Sequence, residues 1–330
     1  MKKLLSFITV LISAAAFGAD GGYLFVTFKG EKTPLEEQVY FAISSNGLSW
    51  AALNDSNPVL VTDVGEKGAR DSYILRSHDG KKFYVLATDL SSYFNRDWGR
   101  AVRAGSRSIL IWESSDLVTW SRPLLAAVAA DDAGCTWAPE AVYDEETGDY
   151  LVFWASKNRF DNFAKQRIWA CRTRDFKTFD KPFIYIDKPW HVIDTTIVRD
   201  SGTYYRFSKD EQFKSITLET SKKLSGPWQD MPQFSLARMQ GYEGPSCFLL
   251  KPATPGRQST WCLLLDYYSK GRGYQPYVST NLAEGKFEPL ADCHFPFQFR
   301  HGSVLAITEA ELKRLETAYS KTEDKKAAGS

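Results

Sequence analysis

Polar and apolar positions along the chain alternate in short runs, and helical stripes are scarce. One pattern recurs: an apolar strand, a polar turn, then an aromatic. It reads "AISSNGLSW" at 42–50, "WESSDLVTW" at 112–120, "CRTRDFKTF" at 171–179, "LETSKKLSGPW" at 218–228 and "VSTNLAEGKF" at 278–287. The closing aromatics are Trp50, Trp120, Phe179, Trp228 and Phe287, spaced by 70, 59, 49 and 59 residues. Short alternating runs bounded by turn residues predict strands. Their recurrence predicts a repeated sheet unit.

A second pattern interleaves with the first: a polar residue, an apolar strand, a Gly-containing turn, then an aromatic-rich strand. It spans 70–90, 138–156, 193–210 and 243–269. Asp79-Gly80, Thr147-Gly148 and Ser201-Gly202 are hairpin dipeptides, because glycine accepts positive φ. Four units are then complete. The strands "YLFVTF" (23–28) and "QVYFAISS" (38–45) lack an inner partner, and "HGSVLAIT" (301–308) is an inner strand without a sheet. Joined, they make a fifth unit. The prediction is an all-β, five-bladed β-propeller with four-stranded antiparallel blades, closed by the N- and C-terminal strands. Closure of this kind removes exposed sheet edges. A β-sandwich also uses many short strands, but it does not require five regular copies.

The two ends are different. Lys2 and Lys3 precede an apolar stretch to Phe17, and Ala16-Phe17-Gly18 fits a small-x-small cleavage site. Residues 1–18 read as a secretory signal peptide, so an exported protein, periplasmic or secreted, is expected. The propeller domain is expected over 19–308. Beyond it, Thr308 and Glu311 have capping-box spacing and predict a short C-terminal helix, followed by a solvated tail within 309–330.

Composition changes this picture little. The 330 residues are 43% hydrophobic with a net charge of +1. No basic field argues for nucleic acid or an anionic membrane. No segment after the leader is apolar enough to cross a bilayer, and a monomer is expected. The five cysteines, Cys135, Cys171, Cys247, Cys262 and Cys293, are odd in number and cannot all pair. Cys171, Cys247 and Cys262 lie inside predicted strands, where a free thiol acts as a small hydrophobe.

In a propeller the innermost strands start near the axis. Asp71, the Trp137–Glu140 segment, Asp194, Glu243 and His301 stand at those starts. Carboxylates brought together there repel and perturb one another's pKa values, a costly arrangement for a scaffold and a useful one for acid–base chemistry. Each residue also has a structural alternative. Asp71 has Arg70 beside it as an ion-pair partner, and Asp194 has Lys188 or Arg199 within reach. Glu243 can satisfy the backbone of the Gly244 corner, while His301 and Trp137 can be core, and Glu140 fits a structural partner better than a catalyst. Searches for other chemistry find no P-loop, no GxGxxG, no GxSxG elbow and no HExxH. His191 and Asp194 share an HxxD spacing, which strand alternation places on opposite faces.

The set "RDSYI…ATDL", "WAPEAVYD", "IDTTIV", "EGPSCF" and "RHGSVL" resembles glycoside hydrolase family 43 from about residue 22 to about 308. Each motif alone is weak; five in order, one per blade, are specific. The resemblance implies a five-bladed propeller acting on arabinose-, xylose- or galactose-containing polysaccharides. It implies Asp71 as general base, Glu243 as general acid, and Asp194 as the third carboxylate, raising the acid's pKa and orienting it. It implies His301 near the axis, beside a structural Ca2+ or a water cluster, with no cofactor required for the chemistry. It implies Trp137 as a sugar-platform or pocket-wall residue; Trp137, Glu140 and His301 are expected to contact the substrate. Two positions depart from the family pattern: Ser72 follows Asp71 where Pro is usual, and Thr195 follows Asp194 where small residues or Pro are common. Both leave the functional groups in place and bear on the backbone pose at each carboxylate.

The insertion "SSYFNRDWGRAVRAGSRS" (91–108) is expected at the pocket rim, with Arg96, Trp98 and Arg100 as substrate contacts. The activity implied is an inverting, exo-acting glycosidase, with α-L-arabinofuranosidase as the leading specificity. A β-xylosidase or β-D-galactofuranosidase would use the same carboxylates. A catalytically silent glycan-binding propeller is the competing class. Related fructan hydrolases carry an N-terminal Asp-Pro-Asn motif that this chain lacks.

Overall fold

The computed structural model describes residues 21–320; the leader at 1–18 and the tail at 321–330 lie outside the described residues. The chain opens with β1 (Gly22–Thr27), β2 (Tyr40–Ser44) and β3 (Ala51–Ala52). A four-stranded sheet follows, of β4 (Ala69–Arg76), β5 (Phe83–Asp89), β6 (Ser108–Ser114) and β7 (Leu124–Ala127), with the six-residue α1 (Trp98–Arg103) between β5 and β6. The next sheet holds β8 (Trp137–Asp144), β9 (Asp149–Ser156), β10 (Arg167–Thr173) and β11 (Phe183–Ile186). The next holds β12 (Val192–Asp200), β13 (Thr203–Asp210), β14 (Ser215–Ser221) and β15 (Gln229–Asp230). The last consecutive sheet is β16 (Glu243–Lys251), β17 (Thr260–Asp266), β18 (Tyr274–Ser279) and β19 (Glu288–Pro289). Finally β20 (Ser303–Ile307) pairs antiparallel with β1, giving the order β20-β1-β2-β3, and α2 (Glu309–Ala318) follows. These are five four-stranded antiparallel blades closed by the two chain ends, as the pattern predicts.

The recurring polar turn is the link between the third and fourth strands of every blade, and its chemistry repeats. Ser114 Oγ accepts the Leu117 N–H, and Asp116 Oδ1 accepts those of Val118 and Thr119. Ser44 with Asn46, and Thr173 with Asp175, do the same. A Ser or Thr two residues before Asp or Asn thus ties the turn's free donors to side-chain oxygens. The hairpin glycines Gly80, Gly148 and Gly202 have φ of 73°, 72° and 76°.

The core is divided between blades. Five buried clusters fill the five blade–blade interfaces, for example Leu86, Trp154 and Phe176 between the β4 and β8 blades, and Phe207, Leu263 and Phe287 between the β12 and β16 blades. The inner strands β4, β8, β12, β16 and β20 touch one another in a closed ring. All five cysteines are free thiols; four are buried and Cys293 is half-buried. At α2, Thr308 Oγ1 accepts the Glu311 N–H and the Glu311 carboxylate accepts the Thr308 N–H, completing the capping box. No described helix is long and apolar enough to cross a membrane.

Candidate active site

Four inner strands carry the same irregularity. The pairing register slips between Arg70 and Tyr73, Trp137 and Glu140, Ile193 and Thr196, and Glu243 and Ser246. The first residue inside each slip is left-handed: Asp71 at φ 51°, Ala138 at 50°, Asp194 at 48° and Gly244 at 54°. That conformation costs an L-residue about 1–2 kcal/mol, and β-bulges re-aim the side chains they contain. Gly244 has a further reason to lack a side chain, since a Cβ there would stand 2.6 Å from His301 Cγ.

This register corrects one expectation. Asp71 and Asp194 are equivalent bulge residues, but Glu243 precedes its bulge and corresponds to Arg70, Trp137 and Ile193. The facing positions on the second strands are Thr88, Ala155, Lys209 and Asp266. These positions prove decisive for the charges of the site.

Asp71, Asp194, Glu243, His301, Trp98 and Trp137 line one cavity of about 770 Å³. Asp71 Oδ2 accepts the Thr88 hydroxyl at 2.8 Å, and the same hydroxyl accepts the Ala138 N–H at 2.8 Å. His301 Nδ1 stands 3.5 Å from Asp71 Oδ1. The neighbouring Arg70 does not neutralise Asp71 by direct pairing: it binds Glu31 at 2.7 Å and Glu37 at 2.8 Å. Trp98 meets Trp137 edge-on at 6.1 Å, so both tryptophans form one wall.

Asp194 is 8% exposed, and its Oδ2 accepts the Gly244 N–H at 3.1 Å. The cations offered by sequence proximity are engaged elsewhere, Lys188 with Glu219 at 2.6 Å and Arg199 with Glu145 at 2.6 Å. Burial pushes the Asp194 carboxyl up to about 6. His301 and Lys209 oppose that rise, while Glu243 and Asp71 add to it.

Glu243 behaves differently. Lys209 Nζ lies 2.9 Å from its Oε2, and Arg300 Nη2 lies 3.3 Å from its Oε1. Burial raises its pKa, but Lys209 first, then Arg300 and His301, more than offset this and hold the carboxyl below its ordinary value. Like-charge repulsion therefore does not keep Glu243 protonated in the free site, contrary to the expectation from its neighbours. Arg300 is shared with the buried Asp266 at 2.7 Å. Burial pushes Asp266 up to about 6, with Arg300 offsetting part of the rise.

Three other expected contacts sit elsewhere. Glu140 is 4% exposed and does not line the cavity. Burial pushes its carboxyl well above the ordinary range, with Thr196 offsetting and the Asp194 charge adding. It lies two residues beyond Ala138, past the bulge, on the packed part of β8. Arg100 is held by a two-pronged pair with Glu66 at 2.7 and 2.6 Å, outside the cavity lining. Arg96 lines an adjoining depression that shares Glu31, Trp98 and Arg300 with the main cavity. His191 and Asp194, expected on opposite faces, both line the cavity, because His191 precedes β12 and Asp194 is in its bulge.

Lys209 and Arg300 were not singled out from the sequence. Arg300 adjoins His301 in "RHGSVL", and Lys209 is the penultimate residue of the strand "YYRFSKD", so adjacency to a motif was the available signal. Around His301, among the described residues, no three His, Cys, Asp or Glu side chains converge to hold a metal. Calcium takes about 6–8 oxygen ligands, so these side chains do not fit a directly bound Ca2+.

Asp194 yields a stability prediction. A carboxyl whose folded pKa is raised above its unfolded value favours folding most below the unfolded value. That contribution is lost as pH rises through about 6. Asp194→Asn removes the buried charge and keeps an acceptor for Gly244. It should stabilise the fold by on the order of 1–3 kcal/mol at pH 8 and by less at pH 4, read by urea unfolding at both.

A propeller whose axis gathers acidic side chains beside paired tryptophans has the form of a carbohydrate-cleaving site. The chain belongs to the glycosidases related to glycoside hydrolase family 43: residues 19–313 match the family described as "Probable glycosyl hydrolase domain". It is 32% identical over 237 residues to an α-L-arabinofuranosidase of Bifidobacterium longum, a match covering 63% of this chain and 22% of that protein. The chain thus spans about a fifth of that relative's length. Among solved structures it resembles an endo-1,4-β-xylanase from Bacteroides thetaiotaomicron, with a TM-score of 0.54, 14% identity, and coverage of 78% of this chain and 85% of that one. It also resembles the catalytic domain of a Coprinopsis cinerea family 62 α-L-arabinofuranosidase, with a TM-score of 0.51, 13% identity, and coverage of 74% and 75%. At these identities the two structures speak for the fold.

Proposed function

We propose that the chain is an inverting, exo-acting α-L-arabinofuranosidase in which Asp71 is the general base and Glu243 the general acid. The observation that carries this is the entry of both carboxyls into one cavity from different blades, in settings that differ sharply in charge. The likeness to an arabinofuranosidase over 63% of the chain supports the choice of sugar.

In this mechanism the Asp71 carboxylate, held by Thr88 and facing His301, takes a proton from a water molecule. That water attacks the anomeric carbon from the face opposite the leaving group. Glu243 gives its proton to the glycosidic oxygen as the bond breaks. An inverting pair needs about 6.5–9.5 Å between carboxyls to admit the water. Glu243 is ionised in the free site, so a sugar must load it: a neutral substrate displaces water and raises the carboxyl's pKa. Asp194, protonated up to about 6, is a proton reservoir in electrostatic contact with Glu243. Its bond to the Gly244 N–H also fixes the backbone that carries the acid.

The test is a panel of 4-nitrophenyl α-L-arabinofuranoside, β-D-xylopyranoside and β-D-galactofuranoside, with NMR of the first-released anomer. Turnover of the arabinofuranoside with inverted configuration is expected. Preference for another sugar would move the specificity, retention would remove the single-displacement mechanism, and binding without turnover would leave a glycan-binding propeller.

A further inference from the structure

Five lysine and arginine side chains line the cavity: Arg70, Lys157, Lys209, Lys214 and Arg300. Four are engaged by carboxylates. Arg70 binds Glu31 and Glu37, Arg300 binds Asp266 and Glu243, Lys209 binds Glu211 and Glu243, and Lys214 binds Glu211. Lys157, just past the end of β9, has no ion-pair or hydrogen-bond partner for its ammonium among the described residues. A lysine that lines a cavity without a counter-charge favours an anion there.

The side chains around it are donors of the same kind. Gln166 is 4% exposed, yet it lines the cavity, and its side-chain amide has no partner among the described residues. An amide open to the cavity and without a protein partner is available to a ligand there. His191 lines the same wall, and its Nδ1 accepts the Gln166 backbone N–H at 3.3 Å. That bond places the imidazole proton on Nε2. Burial, then Lys157, with smaller contributions from Lys165 and Lys214, lowers the ring's pKa against the opposing pull of Glu211, so the ring is neutral. Lys165 is engaged by Asp187. Glu211, the carboxylate of this wall, is shared by Lys209 and Lys214. The cavity therefore holds, besides Asp71, Asp194 and Glu243, an ammonium, an amide and an imidazole N–H that no carboxylate of the described residues binds.

We propose that Lys157, Gln166 and His191 form a subsite for an anionic substituent on a saccharide unit beside the cleaved bond, either the carboxylate of a uronic acid or a sulfate ester. This deepens the glycosidase reading and rests on it for the position of the bound sugar. The anion pairs with Lys157 and accepts hydrogen bonds from Gln166 and His191. Repulsion from the catalytic carboxylates favours the anion at Lys157 over a position beside them.

The experiment is calorimetric titration of the full chain with methyl β-D-glucuronide, glucose 6-sulfate and methyl β-D-glucoside. At least one charged sugar should bind about tenfold or more tightly than the neutral one. The tighter of the two names the anion. Lys157→Met should abolish the preference and Lys157→Arg should retain it. In the wild-type chain the preference should shrink between about 0.05 M and about 0.5 M NaCl, a measurement that needs no variant to fold. Equal affinity for all three sugars, a salt-independent preference, or a preference surviving Lys157→Met would overturn the subsite. Titration requires no turnover, so the two proposals fail separately. An inert chain with a Lys157-dependent preference keeps the subsite and loses the catalysis; an active chain with equal affinities does the reverse.

Discussion

Glu243→Gln lowers kcat/KM by about 10²–10⁴-fold on glycosides with poor leaving groups, the usual contribution of one positioned acid. The loss should be much smaller on a nitrophenyl glycoside, whose leaving group departs as a stabilised phenolate without a proton. Asp71→Asn should fail on both substrates by a similar factor, because every substrate needs an activated water. This split separates the two carboxyls by role as well as by activity. Steady-state kinetics on a nitrophenyl and an alkyl arabinofuranoside reads it directly. Equal losses on the two substrates in Glu243→Gln would remove this residue as proton donor. Full activity in Asp71→Asn would remove the base.

Lys209→Met moves the basic limb of the kcat/KM profile to higher pH. An acid works only when protonated, so the rate falls as pH rises through its pKa in the free enzyme. Lys209 and Arg300 hold Glu243 below its ordinary value. An opposite charge at contact lowers a carboxylate by about 1–3 units, so losing the 2.9 Å Lys209 contact should raise the limb by at least about one unit. The direction holds despite Arg300, which remains 3.3 Å away. The variant should also be less stable at neutral pH. Lys209 is 2% exposed and also holds Glu211 at 2.7 Å; removing one partner of such a buried set costs about 3–5 kcal/mol. That loss should shrink as pH falls and the orphaned carboxyls take up protons. pH–rate profiles and urea unfolding at pH 5 and pH 8 check both parts. An unmoved basic limb would mean that another group supplies the proton.

Much of the framework is legible in local sequence because its causes are local. The Ser/Thr-x-Asp/Asn turns close on side-chain bonds two and three residues away, and the hairpin glycines answer a φ that their own turn demands. Counting such turns counts blades. The capping box at Thr308 is equally short-range. Asp71, Asp194, Glu243, His301 and Trp137 could be picked out because each begins an inner strand, and those starts share the axis.

Other features depend on contacts between distant segments. Lys209 reaches Glu243 from the adjacent blade, and Asp266 faces Glu243 across the β16–β17 pair. Neither relation is visible in spacing along the chain. Glu140 follows a bulge, so its side chain goes to the packed interior and leaves the cavity to Trp137. Arg100, expected as a substrate contact, is bound by Glu66, which the fold brings from another loop.

The sequence by itself determined the number of blades, their order and the closure by the two ends, because strand periodicity and turn chemistry act over a few residues. The tertiary structure alone decided which of the axial acids has its pKa raised and which has it lowered. Burial raises the Asp194 carboxyl to about 6, while Lys209 and Arg300, arriving from different strands, hold Glu243 below its ordinary value. The balance between desolvation and ion pairing is set by distances in space, and those exist only once the ring has closed.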